Sequence, residues 1–156
     1  MRISFIFTAL ASVSKAIAAP KEAIKAFTLE EVNGVPDNTC LTFRNNGNIV
    51  DAACVLTAVD RQIAQDQING KDVLKVMRTF TPDFREDLVD KQVCIGYRSG
   101  GVFRAEDCAS ADIEFVTFKD GQLRTESGAC QKGHNDKAEL TVDPAGKECA
   151  TLHIKT

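Results

Sequence analysis

Short strand-like stretches recur along the chain before glycine-containing turns, and the last of them alternates apolar and polar residues. They cover Ala26–Val32, Arg61–Ile68 and Asp112–Lys119. Such alternation is typical of half-buried β-strands. Each stretch ends at a dipeptide favoured in two-residue hairpin turns, because type I′ geometry requires positive φ at both central positions. These dipeptides are Asn33-Gly34, Asn69-Gly70 and Asp120-Gly121. The pattern predicts an all-β fold.

Cysteines follow these turns at regular spacing. Cys40 to Cys54 and Cys94 to Cys108 each span 14 positions, and Cys130 to Cys149 span 19. Six cysteines allow many connectivities, but this spacing favours pairing of consecutive cysteines. The first two enclosed segments both contain an apolar run, an arginine, a glycine-bearing turn and a second apolar run. We therefore expect three β-hairpins, each closed by a disulfide.

The strand, turn and cysteine hairpin form a unit that occurs three times. A last alternating stretch, Ala150–Lys155, is expected to pair with the first strand and close the sheet into a barrel. The irregular element is Asp72–Asp90, which is longer than its counterparts. Within it, Val73, Val76 and Met77 have helical spacing, so we expect an inserted helical turn or loop.

Residues 1–18 have the composition of a secretory signal peptide. Arg2 gives a positive start, Ile3–Val13 is apolar, and Ala16-Ile17-Ala18 is a small-residue cleavage pattern. The apolar stretch is shorter than the roughly 20 residues of a membrane-spanning helix. We expect export, cleavage after Ala18 or Ala19, and one domain over residues 19–156. An even number of cysteines in an exported chain also indicates disulfides.

Charge argues against nucleic acid as a partner. The chain has 19 basic and 22 acidic residues, so removing Arg2 and Lys15 lowers its formal net charge from −3 to about −5. An acidic protein has the wrong sign to neutralise phosphates. We expect a secreted monomer without a membrane span that binds an extracellular protein or glycan.

No constellation for catalysis stands out. The two histidines, His134 and His153, share no metal-ligand spacing with each other, and all cysteines are expected in disulfides. Motifs for a serine hydrolase, a zinc protease or a phosphate-binding loop are absent. The sequence therefore predicts no catalytic residue, no cofactor and no metal site.

The third unit contains the stretch Phe115-Val-Thr-Phe-Lys-Asp-Gly-Gln-Leu-Arg124, followed by Ser127-Gly-Ala-Cys130, and the first hairpin opens with Cys40-Leu41-Thr42. In these stretches the chain resembles the ricin-B-like β-trefoil lectins. The resemblance implies a β-trefoil of three disulfide-stapled repeats. The family's Gln-x-Trp signature is missing, because the chain contains no tryptophan.

The residues by which the family binds sugars are replaced here. The resemblance places the family's aspartate and aromatic positions, in order, at Thr42, Gly96 and Lys132, and at Ala52, Glu106 and Lys147. Sugar sites combine an aromatic face with a carboxylate or amide. We therefore expect the scaffold without its usual sugar sites.

The insertion carries the candidate partner-binding residues. They are Arg78, Phe80, Phe84 and Arg85, with the alternative that the two phenylalanines fill the open end of the barrel. The leading hypothesis is a secreted non-catalytic binding protein, such as a fungal effector acting at a host or neighbouring cell surface. A carbohydrate-binding lectin is one alternative. Another is a trefoil-type protease inhibitor, with Arg78, Arg85 or Lys91 as the anchoring side chain.

Overall fold

The computed structural model describes residues 16–19 and 25–156, so the predicted signal peptide lies almost entirely outside the described residues. The described strands are β1 (Ala26–Glu31), β2 (Cys40–Phe43), β3 (Ile49–Ala52), β4 (Ile63–Ile68), β5 (Lys71–Val76), β6 (Val93–Tyr97), β7 (Arg104–Asp107), β8 (Glu114–Lys119), β9 (Gln122–Thr125), β10 (Cys130–His134), β11 (Leu140–Asp143) and β12 (Leu152–Lys155). The helical elements are α1 (Pro82–Arg85) and two 3₁₀ turns, Val59–Arg61 and Glu86–Leu88. The predicted all-β class is confirmed.

Three disulfide-linked hairpins recur in chain order. The hairpins are β2–β3, β6–β7 and β10–β11, and each lies between two further strands. The cysteines pair as consecutive neighbours, Cys40–Cys54, Cys94–Cys108 and Cys130–Cys149, as the spacing favoured. Each disulfide holds its hairpin in register, which a two-stranded ribbon needs.

The sheet is open, so the predicted closure into a barrel is wrong. Strand β12 does pair with β1, with His153 opposite Glu30. On its other side, backbone contacts to the third unit are single hydrogen bonds from Leu152 N–H to Gly121 O and from Ala150 N–H to Gln131 O, both 2.7 Å. Among the described strands, no ladder joins β12 to the β11 edge, and the chain between β11 and β12 is irregular.

Two of the three predicted hairpin turns are confirmed. Asn69-Gly70 joins β4 to β5 and Asp120-Gly121 joins β8 to β9, with positive φ at all four residues. Asn33-Gly34 is different, because Gly34 N–H donates to Glu31 O and the chain continues through a longer loop to β2. Strand β1 does pair with β2, with Glu30 opposite Cys40, but across this longer loop, and it also pairs with β12 and β4.

The irregular segment begins later than predicted. Val73 and Val76 are buried residues of β5, so their helical interpretation is wrong. Cross-strand pairing with β4, where Val76 lies opposite Ile63, overrides the local spacing. The insertion proper runs from 77 to 92 and contains the expected helical turn, which begins at Pro82.

One main core joins all three units. Its largest fully buried side chains include Phe43, Phe103, Leu29, Leu88 and Leu123. A smaller cluster packs Val73 against the Cys94–Cys108 disulfide. None of the helices in the described part of the chain is long and apolar enough to cross a membrane.

Candidate functional site

Phe84 is the exposed aromatic residue of the insertion, with 57% of its surface accessible. It lines a groove of 460 Å³, which we call the Phe84 groove. The other lining residues are Thr42, Phe43, Arg44, Asn45, Asn46, Asp60 and Arg78. Arg78 donates hydrogen bonds to Phe43 O and Asn45 Oδ1, so its guanidinium is fixed at the groove wall. The structure thus brings two of the predicted partner-binding residues, Arg78 and Phe84, to one surface.

The other two predicted partner-binding residues, Phe80 and Arg85, are buried. Phe80 belongs to the main core and is 7% exposed, as the core-filling alternative predicted for it. Arg85 is 9% exposed and donates to Ala105 O at 2.9 Å. Its guanidinium also forms ion pairs with Asp87 at 2.7 Å and Glu106 at 3.3 Å. Neither side chain is presented to a partner, and Arg85 cannot serve as the anchor of a protease inhibitor.

A cleft with a volume of 850 Å³ lies elsewhere on the surface. Its walls include the exposed Lys91, the amide of Gln92, and the carboxylates of Asp72 and Glu114, with the ring of Phe115 among them. Its lining residues therefore include an aromatic, two carboxylic acids and an amide.

The positions that correspond to the family's sugar residues do not form a comparable site. Thr42 and Gly96 are buried on β2 and β6, and Lys132 is exposed on β10. Glu106 is 5% exposed, and Arg98 and Arg104 contact its carboxylate at 3.4 Å. A carboxylate with these partners has no free oxygen for a sugar hydroxyl.

A cluster of three titratable side chains joins three strands. Glu31 ends β1, Asp51 lies on β3 and His134 ends β10, and their ligand atoms all lie within 4.8 Å of one another. His134 Nδ1 lies 3.1 Å from Glu31 Oε2, with which it forms a hydrogen bond, and 2.5 Å from Asp51 Oδ2. The two carboxylates are 8% and 4% exposed, whereas His134 is 39% exposed. We call this group the Glu31 cluster.

A β-bulge brings His134 into the Glu31 cluster. The register of β10 against β11 shifts between Gln131 and Gly133, and Gly133 has φ of +148°. In a regular strand Gln131 and His134 would point to opposite faces. The bulge turns both toward Glu31, since Gln131 Nε2 donates to Glu31 Oε1 at 2.6 Å. Sequence reasoning missed this cluster because it sought ligands at short spacings, and the bulge carries no signal beyond the glycine.

The electrostatics of the Glu31 cluster favour a bound positive charge. Burial, followed by the negative charge of Glu31, raises the pKa of Asp51 to about 6, although His134 acts in the opposite direction. Glu30, the neighbour of Glu31 on β1, points to the other face and has its own cation. Lys155 donates to it at 2.9 Å, and this hydrogen bond lowers the pKa of Glu30.

Comparison with known proteins gives no relative for this chain. No family model, no curated protein and no solved structure matches it.

Proposed function

We propose that this chain is an exported, non-catalytic binding protein that contacts an extracellular protein through the Phe84 groove. The observation that carries the proposal is the exposed Phe84 ring in a groove whose wall contains the hydrogen-bonded guanidinium of Arg78. Aromatic and arginine side chains contribute most of the binding energy in many protein interfaces.

Pre-organisation of the insertion supports the same proposal. Arg85 binds the helical turn to β7 through Ala105 O and Glu106, and Phe80, four residues before Phe84, packs into the core. A rigid aromatic side chain loses little conformational entropy on binding, so more of its contact energy appears as affinity. The buried residues of the insertion thus support the exposed one.

The proposed scaffold is trefoil-like, with three disulfide-stapled units in an open sheet. The support is the threefold recurrence of four strands around a cysteine-linked hairpin. Three disulfides also support export, because such bonds persist in oxidising compartments. The acidic net charge favours a partner other than nucleic acid. Action of the monomer at a host or neighbouring cell surface stays a prediction from the sequence.

Site-specific crosslinking tests the proposed surface. A photoreactive phenylalanine analogue is placed at Phe84 and, as a matched control, at Val102, which is 39% exposed in the β6–β7 loop. We expect one extracellular protein to be captured from Phe84 and not from Val102. Equal capture at both positions would count against the groove.

Binding of the purified captured protein provides the quantitative test. Phe84→Ala is expected to weaken binding by at least about tenfold, which corresponds to roughly 1.4 kcal/mol. Val102→Ala should bind as the wild type does. A Phe84→Ala protein with unchanged affinity would reject the proposal.

The glycan alternative has its own structural support in the 850 Å³ cleft. That cleft presents Phe115 together with Asp72 and Gln92, the kinds of group that sugar sites use. A glycan array at near-physiological salt separates the two functions. We expect it to be silent, whereas selective binding that Phe115→Ala abolishes and Phe84→Ala preserves would establish the lectin alternative.

A further inference from the structure

The Glu31 cluster contains more hydrogen-bond acceptors than donors. Glu31 receives one hydrogen bond from Gln131 Nε2 and one from His134 Nδ1. Neither oxygen of Asp51 has a hydrogen-bond partner, although its side chain is only 4% exposed, and the 2.5 Å approach of His134 Nδ1 to Oδ2 lacks hydrogen-bond geometry. Buried carboxylates without a hydrogen bond are rare and costly. Asp51, whose contact with His134 is an ion pair without a hydrogen bond, is therefore suited to bind a cation.

We propose that Glu31, Asp51 and His134 together bind one Zn²⁺ ion. Zinc accepts carboxylate oxygen and imidazole nitrogen as ligands, with bonds near 2.0–2.2 Å. Tetrahedral geometry at such bond lengths separates neighbouring ligand atoms by about 3.3 Å. His134 Nδ1 lies 3.1 Å and 2.5 Å from the two carboxylate oxygens, so binding requires them to spread by less than an ångström.

The ligand set favours zinc over calcium or magnesium. Calcium takes six to eight oxygen ligands and magnesium an octahedral oxygen shell, whereas this cluster offers three groups that include an imidazole. Gln131 orients one of the ligands. It donates a hydrogen bond to Glu31 Oε1, which leaves Oε2 directed at the ion.

The fourth position of the ion faces solvent. His134 is 39% exposed, which gives the metal a path of entry and leaves room for water as the fourth ligand. The three ligands come from β1, β3 and β10 and lie far apart in the sequence. The site therefore exists only in the folded chain, and zinc stabilises that state by mass action.

Titration of metal-free protein tests the proposal. After EDTA treatment and dialysis, ZnCl₂ is titrated by calorimetry, and thermal unfolding is followed at each concentration. We expect one Zn²⁺ per chain and an unfolding temperature that rises with zinc concentration. MgCl₂ and CaCl₂ at equal concentrations should leave the unfolding temperature unchanged.

Variants assign the ligands. Asp51→Asn and His134→Gln are expected to lower zinc affinity by more than the roughly 10–100-fold typical of outer-shell changes, and Gln131→Met by an amount within that range. The matched control is His153→Gln, because His153 also contacts a buried glutamate, Glu30, at 3.1 Å on the opposite face of β1. This variant should bind zinc as the wild type does.

Anomalous scattering at the zinc edge, from wild-type crystals grown with ZnCl₂, requires no variant to fold. The expected peak lies among Glu31, Asp51 and His134. The proposal is wrong if the peak lies elsewhere, if calorimetry detects no binding, or if His153→Gln weakens binding as much as His134→Gln does.

Discussion

Arg85 Nη2 lies 3.3 Å from Glu106 Oε2, and this ion pair joins the insertion to β7 with both side chains more than nine-tenths buried. The same guanidinium donates to Ala105 O at 2.9 Å and to Asn46 O at 3.3 Å. A mobile loop could have been expected from so polar a segment. The buried arginine instead holds the insertion against the sheet and fixes the position of Phe84.

Replacing Arg85 with methionine should destabilise the protein strongly. We expect the free energy of unfolding to fall by about 3 kcal/mol, the low end for breaking a buried ion pair, because Arg98 and Arg104 also contact Glu106. Urea unfolding measures the change. The control is Arg44→Met, which removes an exposed ion pair and should cost less than about 1 kcal/mol. If both variants lose the same free energy of unfolding, burial does not strengthen the contribution of the Arg85–Glu106 pair.

Alanine substitutions of the two phenylalanines in the insertion should affect stability very differently, because Phe80 is buried and Phe84 is exposed. Phe80→Ala removes a core side chain and is expected to cost about 3–5 kcal/mol. Phe84→Ala removes an exposed ring and should change the free energy of unfolding by no more than about 0.5 kcal/mol. Chemical denaturation of both variants checks this contrast. A large loss for Phe84→Ala would mean that the ring packs in the folded protein.

Alanine substitutions at two hairpin glycines, Gly70 and Gly121, should distinguish the cost of a strained backbone from the cost of a steric clash with a neighbouring strand. Gly70 has φ of +77° and open space around it, so Gly70→Ala should cost about 1–2 kcal/mol from its backbone conformation alone. Gly121 has φ of +76°, but a Cβ there would lie 3.3 Å from Leu152 O. Gly121→Ala is therefore expected to lower the thermal unfolding temperature further than Gly70→Ala. The reverse order would contradict the placement of β12 beside this turn.

Low pH should destabilise the loop that follows β11, because the loop is held by hydrogen bonds to the ionised carboxylate of Asp143. Asp143 accepts hydrogen bonds from the backbone N–H groups of Glu148 and Lys147 at 2.8 Å and of Ala145 at 3.0 Å. These bonds lower the pKa of Asp143 below its ordinary value of 3.8. Their stabilisation is thus complete above that pH and is lost as the pH falls through the lower, folded-state pKa.

The variant Asp143→Asn gives the corresponding measurement. It should be less stable than the wild type at pH 7, and the difference should shrink toward zero as urea unfolding is repeated at pH values below 3.8. Asp136→Asn, an exposed aspartate in the β10–β11 turn, serves as the control. A difference that stays constant with pH would mean that the carboxylate charge is not what the loop requires.

The Cys94–Cys108 disulfide should be important for stability. Replacing both cysteines with alanine removes a link across 14 positions and is expected to cost about 3 kcal/mol in the loop-closure model. Its packing against Val73 adds to this loss. Thermal unfolding measures the change, and non-reducing peptide mapping of the wild type checks the connectivity. A crossed linkage would contradict the pairing described here.

Local signals predicted much of the secondary structure. Asn69-Gly70 and Asp120-Gly121 could be identified because a type I′ turn depends on the conformational preferences of its own two residues. Asn33-Gly34 carries the same signal, but the partners of β1 override it. Val73 likewise lies in a strand because of its neighbours, which local spacing does not reveal.

The candidate sites depend on tertiary geometry to different degrees. Phe84 could be selected from composition, since an aromatic residue in a charged segment is unusual, but the burial of Arg85 could not. The Glu31 cluster was beyond sequence reasoning, because Asp51 and His134 meet only through the isolated bridge of Val50 to Glu139 and the bulge at β10. Side chains that meet in this way leave no periodicity to detect.

The pairing of β1 with β12 has a consequence for how the chain folds. Glu30 and Lys155, which contact each other across these strands, are 125 positions apart. The first strand therefore cannot complete its hydrogen bonding until Leu152–Lys155 is in place beside it. The Cys40–Cys54 and Cys94–Cys108 links join residues only 14 positions apart, far upstream of that strand, so both can close before the sheet is complete.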